Sequence, residues 1–323
     1  MKKRQSRLVY YLPAIFILAA LATVFRCVAL STDFNFATGY YVSGSLSTLA
    51  DWIMVTAVIV SLSYFVFGEK RCTLVAVYDG PTTYIPSLLV GSALVFITVG
   101  LGGKLSTQDG TQLVVSLANL LCFVLAAIGA YAFFITAYKT ARRDSRRASV
   151  QIGALLFFAV YAAYIYFDNP LPINTPNRVI DITAYLLFSV FFIYEVRISL
   201  GRDLWRAYTA FGLSALAITV YSSIPSLAVY LASGIIVSHS IYETVLTASL
   251  AIFVLMRLIR SLFFFEDVES DIVKAIRLAE EKKASETNAS DESTESEDEE
   301  PGESENYTME LDEVTDKTEK ESE

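Results

Sequence analysis

The sequence predicts an all-α fold: a polytopic membrane helix bundle of eight transmembrane spans, both termini cytoplasmic, with a disordered acidic C-terminal tail. Three observations predict it. Between Arg206 and Glu243 lie 36 residues whose only group titrating near neutrality is His239, and a helix needs about 20 apolar residues to cross about 30 Å of hydrocarbon. Hydrophobic residues make up 54% of the 323-residue chain and mean hydropathy is +0.47. The net charge of -9 divides into -15 over 285–323 and +6 over the rest. A basic membrane body followed by an acidic segment is a composition break and marks a boundary.

Apolar runs with polar interruptions place the spans at about 8–30, 46–67, 84–101, 112–138, 150–167, 179–198, 207–232 and 241–264. The first follows Lys2, Lys3, Arg4 and Arg7 in the layout of a signal sequence. Its apolar core is too long for one and no small-residue cleavage site closes it, so it reads as a retained helix.

Loop charge sets the expected orientation. Sixteen Lys and Arg fall on the side of the N-terminus, and the opposite loops hold only Lys104 and Arg178. The positive-inside rule puts the rich side in the cytosol, and the plasma membrane is the default expectation for location. Tyr10, Tyr11, Tyr40, Tyr41, Trp52, Tyr84, Trp205 and Tyr208 sit near span ends, where amphipathic rings favour the headgroup zone. Pro13 and Pro86 fall in first turns, and Pro225 interrupts span seven after Ser222 and Ser223, whose hydroxyls are placed to take up freed carbonyls. A short dip over 226–238 is one expected outcome.

The segments Ile85-Pro86-Ser87-Leu88 and Ile224-Pro225-Ser226-Leu227 raise a repeat of four spans plus four. Chance resemblance between apolar tetrapeptides is the simpler account. Residues 265–284 read as a cytosolic helical extension with a thin apolar stripe of Val268, Ile272, Ile276 and Ala279. Residues 285–323 read as disordered, being too poor in apolar side chains to offset ordering. Asn288 and Asn306 fit the glycosylation acceptor pattern, but the expected topology leaves both in the cytosol.

Catalytic signatures are missing from the sequence: no H-E-x-x-H, G-x-S-x-G, Walker A or G-x-G-x-x-G. One histidine rules out a multi-histidine metal site, and Cys27, Cys72 and Cys122 have neither disulfide nor zinc spacing. No cofactor is expected.

Charges within spans are the informative residues, because each costs about 3 kcal/mol or more at the bilayer centre. Arg26 and Asp51 lie at matching depth in adjacent antiparallel spans, which predicts an Arg26–Asp51 ion pair. With Asp181 and Glu243 they form a candidate outer-face polar cluster. Glu195, near the inner end of span six, is expected to reach Arg197 or Arg202. The midplane holds Thr56, Ser92, Tyr161, Ser189, Thr219 and Thr247 with no charge, which argues against an ion-coupled pump. Lys139, Arg142, Arg143, Arg146 and Arg147 form a basic loop suited to anionic lipid headgroups or to the acidic tail.

These features predict a membrane protein that senses an outer-face or lipid-borne ligand, or scaffolds partners through its C-terminal helix and tail. A permease for a small neutral or amphiphilic substrate and a membrane-embedded lipid-modifying enzyme are the alternatives. The implied partners are the lipid bilayer, anionic headgroups at the cytoplasmic face and a protein partner for the C-terminal region, with no sign of nucleic-acid binding.

Overall fold

A computed structural model describes residues 7–68, 81–107, 113–138, 145–167, 175–199, 204–237 and 240–263. Eight helices account for nearly all of them: α1 (Leu8–Thr32), α2 (Ser45–Phe67), α3 (Pro81–Thr107), α4 (Leu113–Tyr138), α5 (Ser145–Phe167), α6 (Pro176–Ser199), α7 (Trp205–Ser233) and α8 (Ile241–Phe263). All eight are long and apolar enough to cross a membrane, as expected of a multi-pass integral membrane protein. The candidate extension and tail lie outside the described residues, as do His239, Cys72, Asn288 and Asn306.

α7 organises the bundle. It packs on α1, α2, α6 and α8, while α3, α4 and α5 continue the chain of contacts from α8 round to α6. Its sequence allows this many neighbours because small residues recur along it. Ala207, Ala210, Ser214, Ala215, Ala217, Thr219, Ser222 and Ser223 are all buried, and small side chains let helix backbones approach. At Gly212 a Cβ would meet Phe191 of α6 at 3.1 Å and Leu258 of α8 at 3.2 Å. Mid-depth between α4, α5, α6 and α8, the rings of Phe133, Phe158, Phe188, Phe192 and Phe253 fill the interior with centroid separations of 4.6–6.4 Å. Offset and edge-on aromatic pairs of this kind stabilise by about 0.5–1.5 kcal/mol beyond their burial.

Between α1 and α2 the chain makes a short antiparallel hairpin, β1 (Phe34–Asn35) with β2 (Tyr40–Tyr41). Gly39 takes φ 77° and donates to the Asn35 carbonyl at 2.8 Å. We refer to this end of the bundle as the hairpin end. Tyr41 packs on Phe34, beside a small apolar cluster of Leu30, Val229 and Val237.

Several expectations change. α3 runs on to Thr107 instead of ending near 101, and within the added stretch Gly102 sits against Phe123, where a Cβ would come within 3.3 Å. Pro13 and Pro86 fall inside α1 and α3, not in their first turns. α7 stays helical through Pro225 to Ser233, so no dip begins at 226, and Gly234 closes the helix at φ 70°. Trp205 and Tyr208 are buried at 3% and 0% exposure instead of facing headgroups, whereas Trp52 and Tyr10 are exposed. Equivalent spans of the two candidate repeats also differ in their packing: α6 packs against α7, and α2 has no comparable contact with α3.

Candidate functional site

The site is built around one consequence of Pro225. Proline has no N–H, so the carbonyl four residues earlier, that of Tyr221, loses its helical donor. Arg26 of α1 supplies the replacement: its Nη1 donates to the Tyr221 carbonyl at 2.7 Å. Nη2 donates to Asn177 Oδ1 at the start of α6, also at 2.7 Å. The guanidinium lies 4.6 Å from the centroid of the Tyr221 ring, an attraction worth about 2 kcal/mol when desolvated. Arg26 is 1% exposed. Such burial of a charge is tolerable only with hydrogen bonds and opposite potential around it.

The Tyr221 hydroxyl then donates to Asp51 Oδ1 at 2.6 Å. Arg26 and Asp51 therefore do not meet as a direct ion pair; the Tyr221 ring stands between them and couples to both. This corrects the expected pair. Matching depth brings the two residues to one level, but a bulky ring from a third helix fills the space between α1 and α2. Tyr41 closes the site from the hairpin and interacts with both charges. Burial pushes the Tyr41 phenol above its ordinary range, and the Arg26 charge and hydrogen bond oppose that shift.

On the next residue of α7, the Ser222 hydroxyl donates to Asp181 Oδ1. The structure thus brings Arg26, Asp51 and Asp181 onto one turn of α7. Glu243 is held elsewhere, by α5: Tyr161 donates to its Oε1 at 2.6 Å, and Tyr161 itself stacks on Tyr164. Lys104 Nζ donates to the Tyr164 hydroxyl at 3.2 Å. Glu243 thus has a different hydrogen-bond partner from the other three, although it and Asp181 both act on Tyr185.

Glu195 meets a cation from another helix; Arg202, one of its two expected partners, lies outside the described residues. Arg257 Nε of α8 lies 3.1 Å from its Oε1, and Tyr208 of α7 donates to the same oxygen at 3.0 Å. Both charges are buried, so Arg257 is part of the bundle interior and not a loop cation. Of the basic loop, Lys139, Arg142 and Arg143 lie outside the described residues, and Arg146 and Arg147 fall in the first turn of α5.

Of the expected midplane hydroxyls, all but Tyr161 are committed within their own helices. Thr56, Ser92, Ser189, Thr219 and Thr247 donate to carbonyls three or four residues back. This is the commonest use of such residues in apolar helices.

A groove opens beside the Tyr221 network. α2 and α6 flank α7 without packing closely on each other. Asp51, Met54, Val55, Val58 and Ile59 form one wall, and Pro176, Val179, Ile180, Thr183 and Leu187 the other. Ile218 and Tyr221 make the floor. The volume is about 440 Å³, within the range of about 300–1,000 Å³ usual for small-molecule sites. Val55, Ile59 and Val179 on its rims are 46%, 62% and 50% exposed, so the groove opens sideways, where the bilayer would lie, and is apolar apart from its Asp51 end.

Asn177 and Tyr221 escape sequence reading. Tyr221 has a signal, since counting back four from Pro225 identifies the carbonyl in need of a donor. Asn177 has none. Comparison with protein-family models, with curated proteins and with solved structures returns no match.

Proposed function

We propose that this chain is a multi-pass membrane protein that takes a lipid-borne amphiphile from the bilayer into the groove between α2 and α6 and responds through α7. The observation that carries the reading is the groove itself: laterally open, apolar along its length and polar only at the Asp51–Tyr221 end. That is the profile of a bound chain with a headgroup at one end. Its floor belongs to the helix with contacts to α1, α2, α6 and α8, so occupancy acts on the most connected element of the bundle.

The orientation that goes with this reading has both ends in the cytosol of a plasma-membrane protein. It is supported by the loop charges, even with Arg257 and Arg260 removed from the count as buried residues. In this reading residues 265–323 carry the interaction with a protein partner, and the basic segment around Arg142 meets anionic headgroups.

Photo-crosslinking in nanodiscs tests it. A single-chain amphiphile bearing a diazirine on its chain should label Met54 to Ile59 and Val179 to Leu187 preferentially. Filling the groove with Ile180→Trp should abolish that labelling. Adducts spread evenly over the lipid-facing helices, or unchanged by the tryptophan, would remove the groove from consideration.

A further inference from the structure

We infer that the groove selects an amphiphile whose headgroup donates hydrogen bonds, a protonated long-chain amine above all, and rejects carboxylate and phosphate heads. The inference rests on the amphiphile-binding reading and adds the headgroup chemistry to it.

The argument is an inventory of the polar atoms on the groove wall. Three lining side chains are polar: Asp51, Thr183 and Tyr221. The Tyr221 proton is committed to Asp51 Oδ1 at 2.6 Å. The Thr183 proton is committed to the Val179 carbonyl at 2.7 Å. Pro176, at the mouth, has no N–H to offer. Asp51 has two oxygens, and among the described residues only one of them has a hydrogen-bond partner. The polar side-chain capacity left on the wall is therefore all acceptor.

A headgroup entering that end leaves water behind and must find partners there. An ammonium or hydroxyl finds the second Asp51 oxygen. A carboxylate or phosphate finds no uncommitted donor among the three polar lining side chains and faces the like charge of Asp51 in a medium of low dielectric. Arg26 does not alter this balance. It is not on the groove wall and is 1% exposed, so its remaining N–H groups, that of Nε among them, do not face the groove. A cationic head gains most, since charge-assisted hydrogen bonds are about twice as strong as neutral ones.

The experiment is competition against the groove crosslink with dodecylamine, dodecanol and dodecanoic acid, which share one chain, at neutral pH on the full-length protein in nanodiscs. In wild type the amine should compete at least about tenfold better than the acid, with the alcohol between them. Asp51→Asn puts an amide donor where the acceptor was, and should shrink or reverse that order. The acid matching the amine in wild type would overturn the inference, and so would an order unaffected by Asp51→Asn. Should Asp51→Asn fail to fold, the wild-type order alone decides. If none of the three competes while the crosslink still depends on Ile180, the headgroup inference fails and the groove reading stands. If the crosslink is also indifferent to Ile180→Trp, both fail.

Discussion

Arg26 and Tyr221 are joined twice: the guanidinium hydrogen-bonds the Tyr221 carbonyl at 2.7 Å and lies on the Tyr221 ring at 4.6 Å. The first bond exists because Pro225 withdraws the donor that carbonyl would otherwise have. A proline on α7 and an arginine on α1 are therefore one structural device, although they stand almost two hundred residues apart in the chain.

The device predicts a coupling. Arg26→Met leaves the Tyr221 carbonyl and Asn177 without their donor in an apolar interior, at about 1–3 kcal/mol each. Pro225→Ala restores an N–H to the helix and can satisfy the Tyr221 carbonyl. In a Pro225→Ala background Arg26→Met should thus cost about 1–2 kcal/mol less than in wild type. Thermal unfolding in detergent of the four proteins measures the difference. Strict additivity would show that the two residues act separately.

Glu195 and Arg257 give a second prediction. Both are buried, and the pair is 3.1 Å apart. Removing one partner takes a buried counter-charge from the other, which costs about 3–5 kcal/mol, whereas replacing both by apolar residues is often neutral. Arg257→Met and Glu195→Leu should each lower the unfolding temperature strongly, and the double variant should recover most of the loss. Equal or greater damage in the double variant would mean that Tyr208 and the neighbouring polar groups depend on the charges themselves.

Orientation is tested by accessibility. In a background with Cys27, Cys72 and Cys122 replaced by Ala, a single cysteine at Phe36 in the hairpin should react with a membrane-impermeant maleimide on intact cells. A cysteine at Ser145, beside the basic segment, should react only after permeabilisation. The reverse pattern would invert the topology. Glycosylation at Asn288 or Asn306 would do the same.

Most of the fold is legible in the sequence because the bilayer imposes a length on every crossing element. Six of the eight expected spans agree with helices to within three residues at each end, α5 begins five residues early, and the even alternation of loop charge is visible without coordinates. α3 departs furthest. It runs on past 101 to Thr107, with Gly102 packed on Phe123. The candidate site was legible only in part. Intramembrane charge singles out Arg26, Asp51, Asp181 and Glu243, because unpaired charge in hydrocarbon is costly and therefore rare.

What the sequence by itself determined is what depends on one segment and the solvent around it: the number of helices, their approximate ends, the position of each charge along its helix and the presence of a proline that frees one carbonyl. What only the tertiary structure decided is which helix faces which. Depth alone would join Arg26 to Asp51; packing puts Tyr221 between them, sets Asp181 against Ser222 and assigns Glu243 to Tyr161. The groove is the clearest case. It exists because α2 and α6 both pack on α7 and not closely on each other. A hydropathy pattern records how apolar each face is and carries no information about the gap left between two of them.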